Sequence, residues 1–275
     1  MSIMRAAAKA PAACGRIGLK IAGFGFNFKS YSAGIISILE KRYGRFGVPG
    51  ESGYDLEIVE ARGSQTPFKP AVSFDGRTLE LKRGDFEAVI DTRSRSGLVR
   101  VSPTEQCLDA FLRSLISFML IRSGGFMLHS AGLVRNGKAY LFPGISGAGK
   151  STLSKLAAGS GGGGVISDEI NIVRLEQGRW RVYGSPFWGE MRADGRPGSW
   201  TLGGIYLLKK SAVNGISPCA DAESYRTLLR CLVNFSSDAE TAALALANTA
   251  RLVSVYPAGR LEFSKETADF LRLIR

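Results

Sequence analysis

Histidine occurs once in the chain, cysteine only four times, and no apolar run is long enough to cross a bilayer. Each scarcity excludes something. Cys14, Cys107, Cys219 and Cys231 form no C-x-x-C pair, so neither a disulfide framework nor a zinc site is indicated. Reduced cytoplasm is the expected compartment. The best membrane candidate, "CLDAFLRSLISFMLI" at residues 107–121, is interrupted by Asp109 and Arg113. Lys9 and Pro11 break the alanine-rich N-terminus before it can form the apolar stretch of a secretory leader, so residues 1–16 read as a flexible basic tail. There is no LSGGQ-like signature, no N-K-x-D base-reading motif and no nucleic-acid-binding motif.

Acidic residues are also in short supply. Lys and Arg number 36 against 24 Asp and Glu, a formal net charge of +12. Such an excess can attract polyanions, but here it is spread along the whole chain, in clusters no longer than Lys41-Arg42 or Lys209-Lys210. No basic run is interleaved with aromatics, so the charge reads as solubility. Neither a specific nucleic acid nor a membrane is expected as a partner.

What is present falls into two regions. Residues 17–101 carry short alternating or apolar runs such as "IGLKIAGFGFNF", "YDLEIVEA" and "FEAVIDT". Turn signals including Asp75-Gly76 and Gly84-Asp85 separate them, predicting a β-rich region with one short helix at "SAGIISILEKRYG". From residue 102 the period changes. Leu108, Phe111, Leu112, Leu115, Ile116 and Met119 recur at helical spacing, with Ser102 as expected N-cap, Pro103 at the first helical position and Glu105 closing a capping box. "FMLHSAGLVRN" and "KAYLFPG" then read as a hairpin around Asn136-Gly137. "VISDEINIVRL" and "RWRVYG" follow as strands. Two amphipathic helices are expected at 221–235 and 236–255, the second capped by Ser236 or Ser237. A hairpin of "RLVSVYP" with "GRLEFS" and a helix at 265–275 close the predicted chain.

One stretch carries chemistry directly. Gly144, Ile145, Ser146, Gly147, Ala148, Gly149, Lys150 and Ser151 fit G-x-x-x-x-G-K-[ST], with Thr152 next. A predicted strand delivers the loop and "KSTLSKLAA" opens a helix behind it, which is the context that motif requires. Glycines let successive backbone N–H groups face phosphate oxygens, and the helix N-terminus adds partial positive charge. Lys150 would reach the β- and γ-phosphates of a nucleotide, and the Ser151 hydroxyl would sit on Mg2+. Asp168-Glu169 ends an apolar strand as a metal- and water-orienting carboxylate does, although a surface strand with solvated acids would look the same. The gap from Lys150 leaves room for one short helix and a turn, which argues against an ABC ATPase or a Ras-like GTPase. His129, alone in an apolar strand, fits a core histidine; beside Asp168 it would form a proton-handling pair.

The combination of His129, the loop at 144–151 and the close-following Asp168-Glu169 resembles the nucleotide-binding core of the HPr kinase/phosphorylase family and its relatives, the ATP-dependent phosphoenolpyruvate carboxykinases. "GSPFWGEMRADGRPG" is similar to the kinase family's E-I-R-G signature at Glu190 and Arg192. The likeness covers residues 126–192. It implies an α/β fold with a P-loop kinase core of this type over 102–275, next to the β-rich region at 17–101. By the same resemblance, Asp168 accepts the acceptor hydroxyl's proton with help from His129, and Lys150 holds phosphate. Ser151, Glu169 and Glu190 serve the metal, and Arg192 steadies the transferring group.

The implied activity is ATP- and Mg2+-dependent transfer of a γ-phosphate to a hydroxyl, serine foremost, of a peptide, protein or small molecule. The kinases form hexamers, so a homo-oligomer is a family expectation. The chain departs from them in its first hundred residues, in the region after Trp200, and in having Glu rather than Asp as the second acid. A non-catalytic nucleotide-binding switch and a simple ATPase stand as the two rival functions.

Overall fold

A computed structural model describes residues 15–50, 52–64, 66–161, 164–187, 189–191, 195 and 197–274. The chain is mixed α/β, with two mixed sheets and, among the described residues, five α-helices. Residues 1–14 of the expected tail lie outside the described residues, and Gly15 and Arg16 already belong to a strand.

The first sheet has seven strands: β1 (Gly15–Ile21), β2 (Phe24–Ser30), β3 (Tyr54–Glu60), β4 (Ala71–Phe74), β5 (Thr78–Arg83), β6 (Phe86–Asp91) and β7 (Ser96–Val101). Their order is β1-β2-β3-β7-β6-β5-β4. Period-two alternation buries Leu19, Phe26, Phe28, Leu56, Ile58, Leu81, Ile90 and Val99 on one face. Two helices cover that face, α1 (Ala33–Tyr43) and α2 (Glu105–Arg122). Ser32 caps α1 by accepting from the Ile35 N–H at 3.4 Å.

Helix α2 begins later than its sequence signature suggests. Thr104, not Ser102, is the N-cap, and its Oγ1 accepts from the Cys107 N–H at 3.2 Å. The Ser102 N–H is committed to the Asp85 carbonyl at 2.9 Å, which holds Ser102 at the end of the sheet and delays the helix past Pro103. Leu108, Phe111, Leu112, Leu115 and Ile116 are all fully buried. Each such side chain stabilises the fold by about 1.5–3 kcal/mol. Met127, Ile170, Ile172 and Phe187 of the second half of the chain join the same core, so α2 is packed between the two sheets.

The second sheet is built on β8 (Gly125–Arg135), which changes partners midway. Along one edge it pairs with β10 (Gly164–Ser167) and then β11 (Ile170–Glu176). Along the other it pairs with β9 (Lys138–Pro143) and, lower down, with the short strand Leu232–Val233. The single strand expected at "VISDEINIVRL" is therefore two, parted at Asp168-Glu169, with a register shift just before, between Val165 and Ser167. From β11 the sheet continues through β12 (Arg179–Tyr183) to β13 (Ser199–Lys210), and β13 also runs parallel to β9, closing a ring of pairings. Asn136 and Gly137, at φ 49° and 75°, make the predicted hairpin turn between β8 and β9. Helix α3 (Lys150–Gly159) packs Leu153 and Ala157 against Ala131, Leu133 and Phe142.

The C-terminal third differs from expectation in four places. Helix α4 (Asp221–Cys231) stops short of the expected residue 235, because Leu232–Val233 pairs with β8 as a strand. Helix α5 (Ala239–Val255) is capped by Asp238, whose Oδ1 accepts from the Thr241 N–H at 2.7 Å. A carboxylate is the stronger acceptor for an orphan helix N–H, and it displaces both serines from that role. Residues 251–255 complete α5, with Leu252 and Val253 buried at helical spacing, and make no hairpin. Their supposed partner, Gly259–Phe263, runs instead between β13 and the edge strand Gly215–Pro218. The closing helix is only a short 3-10 turn at Asp269–Arg272.

Gly132 sits where the fully buried Asn171 side chain crosses β8. The Asn171 amide donates to the Ser130 carbonyl at 2.6 Å, and a Cβ at residue 132 would lie 2.1 Å from Asn171 Oδ1. Gly132→Ala should therefore destabilise the protein by about 1–3 kcal/mol through overpacking. Denaturant unfolding checks this, and an unchanged midpoint would contradict the assigned packing.

Candidate functional site

The site forms where β8 exchanges partners. His129 pairs with Ile170 of β11, and the next residue, Ser130, pairs with Pro143 of β9. The Ser130 N–H donates to the Glu169 carbonyl at 2.9 Å, and the Gly144 N–H donates to the His129 carbonyl at 3.4 Å. The two ends of one peptide group thus hold the first residue of the glycine-rich loop and the acidic pair side by side.

Two glycines shape the loop. Gly147 and Gly149 have φ of 82° and 106°, values that L side chains rarely adopt. At Gly149 a Cβ would also stand 2.9 Å from the Phe263 ring. Helix α3 starts there with no side-chain cap, so its first N–H groups have no side-chain acceptor at the N-cap, and its first residues line the cavity described next. Lys150 folds back under the loop, donating from Nζ to the carbonyls of Gly144 at 2.7 Å and Ile145 at 3.2 Å. It is only 7% exposed. Burial pushes its pKa down, while Cys231, Glu169, Glu190 and Asp168 pull it back up.

A cavity of about 470 Å3 opens over the loop. Of the residues singled out in the sequence, His129, Ser146, Gly147, Gly149, Lys150, Ser151, Thr152, Asp168, Glu169 and Glu190 line it. Gly144, Ile145 and Ala148 complete the loop outside that lining. The Ile145 side chain is 52% exposed, and a Cβ on Gly144 would meet Ala148 at 2.7 Å. Arg192 lies outside the described residues.

The three carboxylates are held differently. Asp168 is buried, accepts from the Met191 N–H at 3.1 Å, and is covered by Gly189, where a Cβ would fall 2.5 Å from Oδ1. Glu169 faces the guanidinium of Arg113 through two hydrogen bonds of 3.2 and 3.3 Å. Arg113 also pairs with Asp109 at 2.5 Å and stacks over Phe187. Asp109 in turn contacts Arg42 and the Tyr43 hydroxyl of α1 at 3.4 and 3.3 Å, and burial raises its pKa. Glu190 is largely exposed and 3.8 Å from Lys155.

The His129 ring feels Lys150, Glu169 and Arg113, but no hydrogen bond joins it to Asp168 among the described residues. The expected pair shares a cavity without direct contact.

Two lining or supporting cations were missed in the sequence. Arg113 reads there as an interruption of an apolar helix, although its i,i+4 spacing from Asp109 marks a paired charge. Lys210 lines the cavity from the end of β13, and the doublet Lys209-Lys210 gives no sign of it until strand alternation separates the two.

No group of three or more His, Cys, Asp or Glu side chains is arranged to hold a metal among the described residues. Mg2+ does not need one, because it commonly takes one or two protein oxygens and completes its shell with phosphate and water. The Ser151 hydroxyl and Asp168 carboxylate are hard oxygen donors in one cavity and fit that demand. Glu169 and Glu190 already have cationic partners. No helix of the described residues is long and apolar enough to cross a membrane.

Burial disfavours the charged His129 ring, and the Lys150 ammonium adds to this, so its folded pKa lies below the ordinary 6.5. The unfolded chain then binds the proton more readily. The neutral ring's contribution to stability is complete above pH 6.5 and is lost as pH falls through the folded value. As the only histidine, His129 gives one clean NMR titration. Its midpoint should lie below 6.5 and rise in Lys150→Ala; a midpoint at or above 6.5 would contradict the placement. A comparison with protein-family models gave no match for this chain, and neither did a comparison with curated proteins.

Proposed function

We propose that the protein is a kinase that moves the γ-phosphate of ATP, with Mg2+, to a hydroxyl of a peptide, protein or small molecule, serine being the favoured acceptor. The observation that carries this reading is that Asp168 and Lys150 line one cavity over a glycine-rich loop. A passive phosphate-binding loop has no need of a buried carboxylate that lacks an ion-pair partner among the described residues, and a hydroxyl acceptor does. The P-loop kinase core of the HPr kinase type, implied by resemblance, belongs to the same proposal.

The residues divide the reaction as follows. Backbone N–H groups of the loop and of the α3 N-terminus cradle the phosphate chain. Lys150 leaves the Gly144 and Ile145 carbonyls and takes phosphate oxygens as acceptors, exchanging neutral partners for charged ones. Ser151 and Asp168 would hold Mg2+, which would supply charge neutralisation on the phosphates. The acceptor hydroxyl gives its proton to the Asp168 carboxylate as its oxygen bonds to the γ-phosphorus. The bond from that phosphorus to the β–γ bridging oxygen breaks, and ADP leaves with the electron pair. Neutral His129 stands in the cavity as a second proton acceptor. Arg113 keeps Glu169 oriented, and Arg192 retains the role that the resemblance gives it.

Incubation of the purified protein with γ-labelled ATP and Mg2+ in host-cell extract tests the proposal. Wild type should label a discrete acceptor, and Lys150→Ala should not. Asp168→Asn should lower transfer by about 10²–10⁴-fold, the range for loss of a general base, while still binding ATP. Full transfer by Asp168→Asn would refute the base. Label recovered only as free phosphate would favour the ATPase, and label left on ATP would favour the switch.

A further inference from the structure

Helix α3 and Lys150 supply only part of the positive charge over the loop. Strand β13 runs parallel to β9, with Ile205 opposite Leu141. Beyond that point β9 turns into the glycine-rich loop, while β13 continues to Lys210 and so carries its carboxyl end alongside the loop. Ligands of open α/β sheets bind at the carboxyl ends of such strands.

Alternation along β13 sends Lys209 and Lys210 to opposite faces. Lys209 is paired with Glu262 at 2.6 Å. Lys210 lines the cavity, is exposed, and has no ion pair among the described residues. Its Cε lies 3.8 Å from where a Cβ on Gly149 would be, beside the turn from which the α3 N–H groups start. Among the described residues, the charges around the cavity leave this cation without a counter-ion. Glu169 is bound to Arg113, and Glu190 is 3.8 Å from Lys155. Asp168, covered by Gly189, accepts from the Met191 N–H.

We infer that Lys210 is a phosphate ligand, a second ammonium that closes over the donor's phosphate chain opposite Lys150. The inference rests on the reading of this cavity as a nucleotide-phosphate site and adds to it a residue from outside the loop motif. A flexible, exposed lysine can follow the phosphate through transfer, whereas Lys150 is packed beneath the loop.

Equilibrium titration of the full chain with ATP, across a series of salt concentrations, tests it. Lys210→Ala should weaken ATP binding by about 10- to 100-fold, as expected for loss of a charge-assisted hydrogen bond, and should flatten the salt dependence. Lys210→Arg should recover most of the affinity, and Lys209→Ala should match wild type. Wild-type affinity in Lys210→Ala, with binding lost in Lys150→Ala, would overturn the role of Lys210 and leave the site reading intact. No ATP binding by the wild-type chain would overturn both.

Discussion

The His129 carbonyl and the Ser130 N–H hold Gly144 on one side of β8 and Glu169 on the other. Buried backbone groups must find partners, and these two find theirs in the segments that carry the site. The glycine-rich loop cannot move away from the acidic pair without opening the middle of a strand that is paired along both edges. The buried Asn171 amide, bonded to the Ser130 carbonyl, ties down the same turn of partners from inside. The cavity is thus a consequence of sheet topology, which holds the loop and the acidic pair side by side before any ligand arrives.

A second constraint is electrostatic. Arg42, Asp109, Arg113 and Glu169 alternate in sign from α1 through α2 to the cavity wall. Taking any one charge out of water alone would be costly, and the alternation lets each offset its neighbour. Since Arg42 is buried under the seven-stranded sheet, the N-terminal region and the cavity share one set of charges. The N-terminal region therefore does more than cover α2; through Arg42 of α1 it supplies the end of the chain of charges that orients Glu169.

Local rules recovered much of this from the sequence. The Asn136-Gly137 turn, the α2 stripe and the strand–loop–helix run at 138–159 follow from short-range periodicity and glycine placement, and these elements form where they were expected. The mistakes have tertiary causes. Ser102 looks like a cap, but its N–H is taken by Asp85, a partner distant in sequence. Residues 251–257 look like a strand until α5 is seen to bury Leu252 and Val253 on its inner face. Within the site, Lys150, Ser151 and Asp168 are readable because their spacing is local. Arg113 and Lys210 are not, because only long-range pairing brings α2 and the end of β13 to the cavity.

A crystal structure of the protein with Mg2+ and a non-hydrolysable ATP analogue bears most directly on the central claim. The phosphates should lie against the N–H groups of residues 144–151, with Lys150 Nζ moved off the Gly144 carbonyl and the metal on Ser151 and Asp168. Nucleotide bound elsewhere, or Lys150 still seated on Gly144 beneath a bound triphosphate, would contradict it.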